Sequence, residues 1–214
     1  MDLHTARGFT LLEILFVVLI TMTVAAIAIP MSGNALGFFR LSGDARSVSN
    51  AVAVTKMRAA ADFTRARLFV DLSGNRHRLE TFAKPGSPAA LGCPMGVTSC
   101  WLPRGGWTNL SQGISLGFGT LATPPANTQT TIGQAPACRD DAGAAIANTG
   151  CLVFNSRGVP VDAVTLAPTA DDAVYLTDDS AGHPPTAVYA ATVAASGMIQ
   201  TWRSGPATAN WVRQ

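Results

Sequence analysis

Residues 7–13 read Arg7-Gly8-Phe9-Thr10-Leu11-Leu12-Glu13, and the apolar run that follows, beginning Ile14-Leu15-Phe16-Val17-Val18-Leu19-Ile20, extends past Met31 without another charge. At a helical rise of about 1.5 Å per residue, residues 9–31 reach roughly 34 Å, enough to cross a bilayer core of about 30 Å. Arg7 precedes the run, and no Lys or Arg follows until Arg40. The positive-inside rule therefore puts the short N-terminus in the cytoplasm and everything after residue 31 outside it. Glu13 is the anomaly. A carboxylate in hydrocarbon costs roughly 2.5 to 3.5 kcal/mol on insertion scales, so an intramembrane acid calls for a partner.

A secretory signal would carry a shorter apolar core and a small-residue cleavage site at its far end. Here the only plausible processing site comes before the run, at Gly8-Phe9, behind an eight-residue hydrophilic leader with His4 and Arg7. At these residues the chain resembles the type IV pilin and type II secretion pseudopilin superfamily, whose signature is a glycine, Phe-Thr-Leu-Leu-Glu and an apolar helix. The resemblance implies cleavage after Gly8 by a prepilin peptidase that also N-methylates Phe9. It implies a helix kink at Pro30, where a missing N–H and a ring clash bend a helix. It also supplies a partner for Glu13, the N-terminal ammonium of a neighbouring subunit. A buried ion pair of that kind is better attested as a register device than as a source of net stability.

Beyond Pro30, Leu41, Ala45, Val48, Val52, Thr55 and Ala59 recur at alternating spacings of four and three, with Arg40, Asp44, Arg46, Lys56 and Arg58 between them. The pattern predicts an amphipathic continuation of the helix over residues 32–63, its apolar stripe covering a head. Gly33, Asn34 and Gly37 are places where it would loosen, glycine costing about 1 kcal/mol against alanine inside a helix.

The head, residues 64–214, opens with Arg67-Leu68-Phe69-Val70-Asp71-Leu72, a turn at Ser73-Gly74-Asn75, and Arg76-His77-Arg78-Leu79-Glu80-Thr81-Phe82, the pattern of a hairpin. Further strands are expected at residues 114–121, 151–155, 174–177, 187–193 and 198–203, the last two joined at Ser196-Gly197. Between 84 and 150 the composition shifts to Gly, Pro, Ala, Thr and Asn, which marks a loop-rich insertion. The fold class expected is α+β and pilin-like: a long N-terminal helix, half transmembrane and half amphipathic, packed on a mainly antiparallel head with one core.

A head beyond the membrane lies where thiols oxidise, and the four cysteines are even in number. Disulfides Cys93–Cys100 and Cys138–Cys151 are expected. Zinc is disfavoured, because no C-x-x-C knuckle occurs and no nearby histidine completes a ligand set.

In the last third, Cys151-Leu152-Val153-Phe154-Asn155-Ser156-Arg157-Gly158-Val159-Pro160 and then Ala195-Ser196-Gly197-Met198-Ile199 look like the GspH/FimT family. That resemblance implies a minor pseudopilin of a type II secretion system. Its partners would be other pseudopilins or minor pilins, the prepilin peptidase/N-methyltransferase, an inner-membrane assembly platform, and the membrane through one helix. The alternative is a FimT-like minor type IV pilin in pilus assembly or DNA uptake. DNA binding wants cations gathered on one surface, and Arg203 and Arg213 are the candidates. Asp171, Asp172, Asp178 and Asp179 share that third and oppose a polyanion.

No metal or cofactor is expected: the paired aspartates lack the ligand order of an EF-hand. Nor is catalysis expected. His4, His77 and His183 have no recognisable nucleophile or acid companion and read as surface residues. Among the tryptophans, Trp101 and Trp107 bracket a short Gly- and Pro-containing loop. They make the insertion the first candidate for partner contact.

Overall fold

The computed structural model describes residues 9–170, 172–178 and 185–214, without the side chains of residues 29–35. The leader, with His4 and Gly8, and Asp171, Asp179 and His183 lie outside the described residues, and so does the side chain of Pro30, on which the expected kink falls.

Helix α1 (Leu11–Ala61) starts at Thr10. The Glu13 N–H donates to Thr10 Oγ1 at 3.2 Å, the threonine half of a Thr-x-x-Glu capping box, and the acid in the first turn complements the positive end of the helix dipole. At the far end the Phe63 N–H reaches Ala60 O and the Thr64 N–H reaches Ala59 O at 3.1 Å, with Phe63 left-handed at φ 48°. That bond pair is a Schellman stop, and it turns the chain into the first strand.

Contacts divide the chain into two units, one ending at Leu36 and one running Gly37–Gln214. In the first, Leu11–Ala28 has a mean hydropathy of 2.6 and no buried residue. It is long and apolar enough to cross a membrane.

The second unit is an α+β head. Its strands are β1 (Ala66–Asp71), β2 (Arg76–Ala83), β3 (Cys100–Pro103), β4 (Thr108–Asn109), β5 (Ser115–Leu116), β6 (Thr149–Phe154), β7 (Asp172–Thr177), β8 (Val188–Val193), β9 (Ile199–Ser204) and β10 (Val212–Arg213). They form two antiparallel sheets. The first has the order β3-β2-β1-β6, with β4 also on β2; the second has the order β10-β9-β8-β7-β5. Leu41, Ala45, Val48, Val52, Thr55 and Ala59 of α1 are all buried to within 1%. The apolar members of that stripe pack with Ala66, Leu68 and Val70 of β1, Leu152 and Phe154 of β6, and Val174, Leu176, Ala191 and Val193 of β7 and β8.

The single core expected from the sequence has two satellites. Phe69, Val153, Val161 and the Cys138–Cys151 pair cluster on the outer face of the first sheet. Leu121, Ala173, Tyr175, Val188 and Ala190 cluster on that of the second. Both form because successive strand side chains alternate faces, and the insertion supplies cover for the outward set.

The strand expected at 114–121 shrinks to Ser115–Leu116. The Gly117 N–H still reaches Tyr175 O, but Gly119 at φ 57° turns the chain away and Phe118 meets Tyr175 edge to face. Strands β3, β4 and β10 were not legible in the sequence. β4 and β10 have two residues each, and β3 ends in Pro103 at a sheet edge, the position in a sheet that tolerates proline.

Candidate functional site

Two regions hold the residues singled out in the sequence. In the first unit, Phe9 is 79% exposed, and the side chains of Leu11, Leu12, Ile14, Leu15 and Phe16 are likewise open. Glu13 is exposed beside them, with its main chain held by Thr10. An apolar helix this bare has its natural surroundings in lipid or among other helices.

In the head, the register puts Arg67 opposite Glu80, Phe69 opposite Arg78 and Asp71 opposite Arg76, all on the outer face of the first sheet. Glu80 is 1% exposed and Arg67 4%. One Glu80 oxygen takes Nε and Nη2 of Arg67 at 2.6 and 2.5 Å; the other takes Nε and Nη2 of Arg78 at 2.7 and 2.5 Å. The carboxylate is thereby saturated, which is what allows it to be buried. Burial lowers the Arg67 pKa and Glu80 opposes that shift.

Aromatic rings frame the same guanidiniums. Arg67 lies 4.2 Å from the Trp101 ring centre, Arg76 and Arg78 each lie 4.3 Å from that of Trp107, and Arg65 lies 4.0 Å from Phe82. Such contacts are worth about 0.5–1 kcal/mol when exposed and about 2 kcal/mol or more when desolvated. The two tryptophans of the insertion are thus half-buried, packed against the outer apolar cluster and facing the arginines. The sequence shows the alternation Arg76-His77-Arg78 but not its register, so the cluster is not legible there.

Both disulfides join the expected cysteines, Cys93 with Cys100 and Cys138 with Cys151. The second ties the loop carrying Arg139, Asp140 and Asp141 to β6, over the arginine cluster. His77, expected on the surface, is 3% exposed: it pairs with Val70 on the inner face, and among the described residues its Nδ1 has no hydrogen-bond partner. Among the described residues no three of His, Cys, Asp and Glu are grouped to hold a metal ion.

The two glycines of the C-terminal resemblance meet in space. Lys56 Nζ of α1 donates to Gly197 O at 2.9 Å, and a Cβ on Gly197 would lie 2.5 Å from Gly158 O. The motif is therefore a packing joint between helix, turn and hairpin. Arg203 and Arg213 are not brought together. Arg203 pairs with Val212 and lies over Phe38 at 4.7 Å, whereas Arg213 pairs with Trp202, so the two side chains leave opposite faces of the sheet. Asp178 accepts the N–H of Thr186 and Ala187 and serves the loop before β8.

No family model matches the chain, and comparison with curated proteins returns no match. Among solved structures it is similar to the minor pseudopilin EpsH from the Type 2 Secretion System of Vibrio cholerae. The identity is 12%, the match covers 78% of this chain and 98% of that one, and the TM-score is 0.42.

Proposed function

We propose that this chain is a minor pseudopilin of a type II secretion system, a structural subunit built into a periplasmic filament through its N-terminal helix. The observation that carries the reading is the helix itself: 18 residues, Leu11–Ala28, wholly unburied, with one exposed acid in the first turn. A surface of that size and hydropathy needs lipid before assembly and other helices after it. The prepilin-like residues Gly8 to Glu13 supply the chemistry. Cleavage after Gly8 frees the Phe9 amine, and the amine of one subunit neutralises Glu13 of the next while subunits pass from bilayer to filament. The head sits outside the cytoplasm, where its disulfides persist. The separation of Arg203 from Arg213 weighs against the FimT-like DNA-uptake reading, which wants its cations on one surface.

Intact-mass measurement on membranes of cells that also express a prepilin peptidase tests the processing. The chain should lose its eight leader residues and gain a methyl group, and Gly8→Val should keep the leader. A native chain that keeps the mass of its eight leader residues would remove the assembly reading, because no free amine would then exist beside Glu13.

A further inference from the structure

On the outer face of the first sheet each carboxylate already has its donors. Asp71 accepts from Arg76, Ser73 and the Gly74 N–H. Glu80 is filled by Arg67 and Arg78. Asp140 takes the N–H groups of Ala142 and Ala144, and Asp141 takes that of Trp101 at 2.9 Å. Among the described residues of this face, two guanidiniums have no hydrogen bond to a carboxylate. Arg65, half-buried, lies 4.0 Å from Phe82 and 5.7 Å from Trp101, and among the described residues it has no acceptor in hydrogen-bond reach. Arg139 has one long bond, Nη1 to Gly143 O at 3.4 Å, and only an electrostatic interaction with Asp162 beside it. Both line one pocket of about 170 Å³, with Phe82, Trp101, Asp140 and Asp141.

We propose that this pocket receives a single carboxylate from an acidic side chain of a partner protein, gripped by Arg65 and Arg139 over the Phe82–Trp101 platform. A guanidinium presents a planar fork of N–H donors that fits a carboxylate in two places, and stacking on a ring holds the plane of that fork before the ligand arrives. The size selects a group and not a whole molecule, since organic ligands occupy roughly 300–1,000 Å³. Charge selects a monoanion. Arg65, Arg67, Arg78 and Arg139 stand against Glu80, Asp140 and Asp141, with Asp162 in electrostatic reach of Arg139, so the pocket carries no excess that a dianion would need, and the two aspartates on the rim repel a phosphate dianion. Tryptophan and arginine together are the residues that protein interfaces concentrate at their energetic centres. The Cys138–Cys151 bridge fixes the loop that carries Arg139, so little ordering is left for binding. The proposal rests on the head alone and does not depend on the filament reading.

The test uses the full chain in detergent micelles, titrated with the capped peptide Gly-Asp-Gly, its Gly-Asn-Gly counterpart and inorganic phosphate. Nitrogen–proton NMR follows Arg65 Nε–H and the Trp101 indole. The aspartate peptide should give a saturable millimolar shift, weakened about tenfold by Arg65→Gln and by Arg139→Gln and unchanged by Arg157→Gln, and the asparagine peptide should give none. Arg65→Lys keeps the charge but loses the fork, and it should bind as weakly as Arg65→Gln; it replaces that variant if glutamine disturbs the fold. Phosphate binding as tightly as the peptide, no saturation, or undiminished binding in Arg65→Lys or Arg139→Gln would overturn the assignment.

Discussion

His77 is an imidazole closed off from water on β2, between two arginines that turn to the opposite face. Burial pushes its pKa below the ordinary value, and Asp44 on α1 opposes that shift without cancelling it. The folded protein therefore holds the His77 proton less tightly than the unfolded chain does. As pH falls below the unfolded value of about 6.5, stability should drop, by at most about 1.4 kcal/mol per unit, until the lower folded value is passed. Asp71 and Asp162 are shifted down from 3.8 by N–H and hydroxyl donors, and their contribution is lost only in a more acidic window. Urea unfolding between about pH 7.5 and pH 5.5 should show the decline in the native chain and a flatter profile in His77→Leu; parallel profiles would assign the buried imidazole no such role. At this scale the sequence was uneven as a guide. Glu13 and the cysteine pairs stood out because an acid in an apolar run and an even thiol count are local facts. The Arg67–Glu80–Arg78 cluster and the burial of His77 depend on which residue faces which across a hairpin, and alternation alone leaves the choice of face open.

At the scale of elements, the helix was the most legible part of the chain, because a buried stripe at spacings of four and three has no competing strand pattern over nineteen residues. Strands of two residues carry no period at all, and their pairing is decided by partners far along the chain. The glycines give the sharpest contrast. Gly197 has φ 75°, and a Cβ there would meet Gly158 O at 2.5 Å and Lys56 Nζ at 3.1 Å. Gly197→Ala should lose roughly 1–3 kcal/mol, the usual cost of a left-handed non-glycine residue, before the clash with backbone is counted. Gly43, exposed on α1, has nothing within 4 Å of its Cβ position. Gly43→Ala should gain up to about 1 kcal/mol from helix propensity alone. Opposite signs for the two changes in thermal unfolding are expected; equal signs would mean that the joint of Lys56, Gly158 and Gly197 does not constrain the hairpin.

At the scale of the whole molecule, the head and the apolar helix answer different demands. The head closes its own core: α1 from Leu41 to Ala59 lies on two sheets, and the insertion covers both outward faces, so its folding needs nothing from residues 11–28. The apolar segment buries nothing of itself, so its free energy is settled by lipid or by neighbouring chains. That division was legible in outline from hydropathy. The pairing of the head into two sheets was not, because it rests on contacts distant along the chain. The division has a consequence for Glu13. Glu13 is an exposed residue of the first unit, and its main-chain cap comes from Thr10, which a substitution leaves in place. Glu13→Ala should therefore leave the urea midpoint of the head unchanged while removing the proposed counterion of the neighbour's Phe9 amine. Cross-linking into filaments in cells should fall several-fold, whereas Glu13→Asp should retain part of it. A loss of head stability would place Glu13 in the fold, and unimpaired cross-linking would leave the neighbour's amine without this partner.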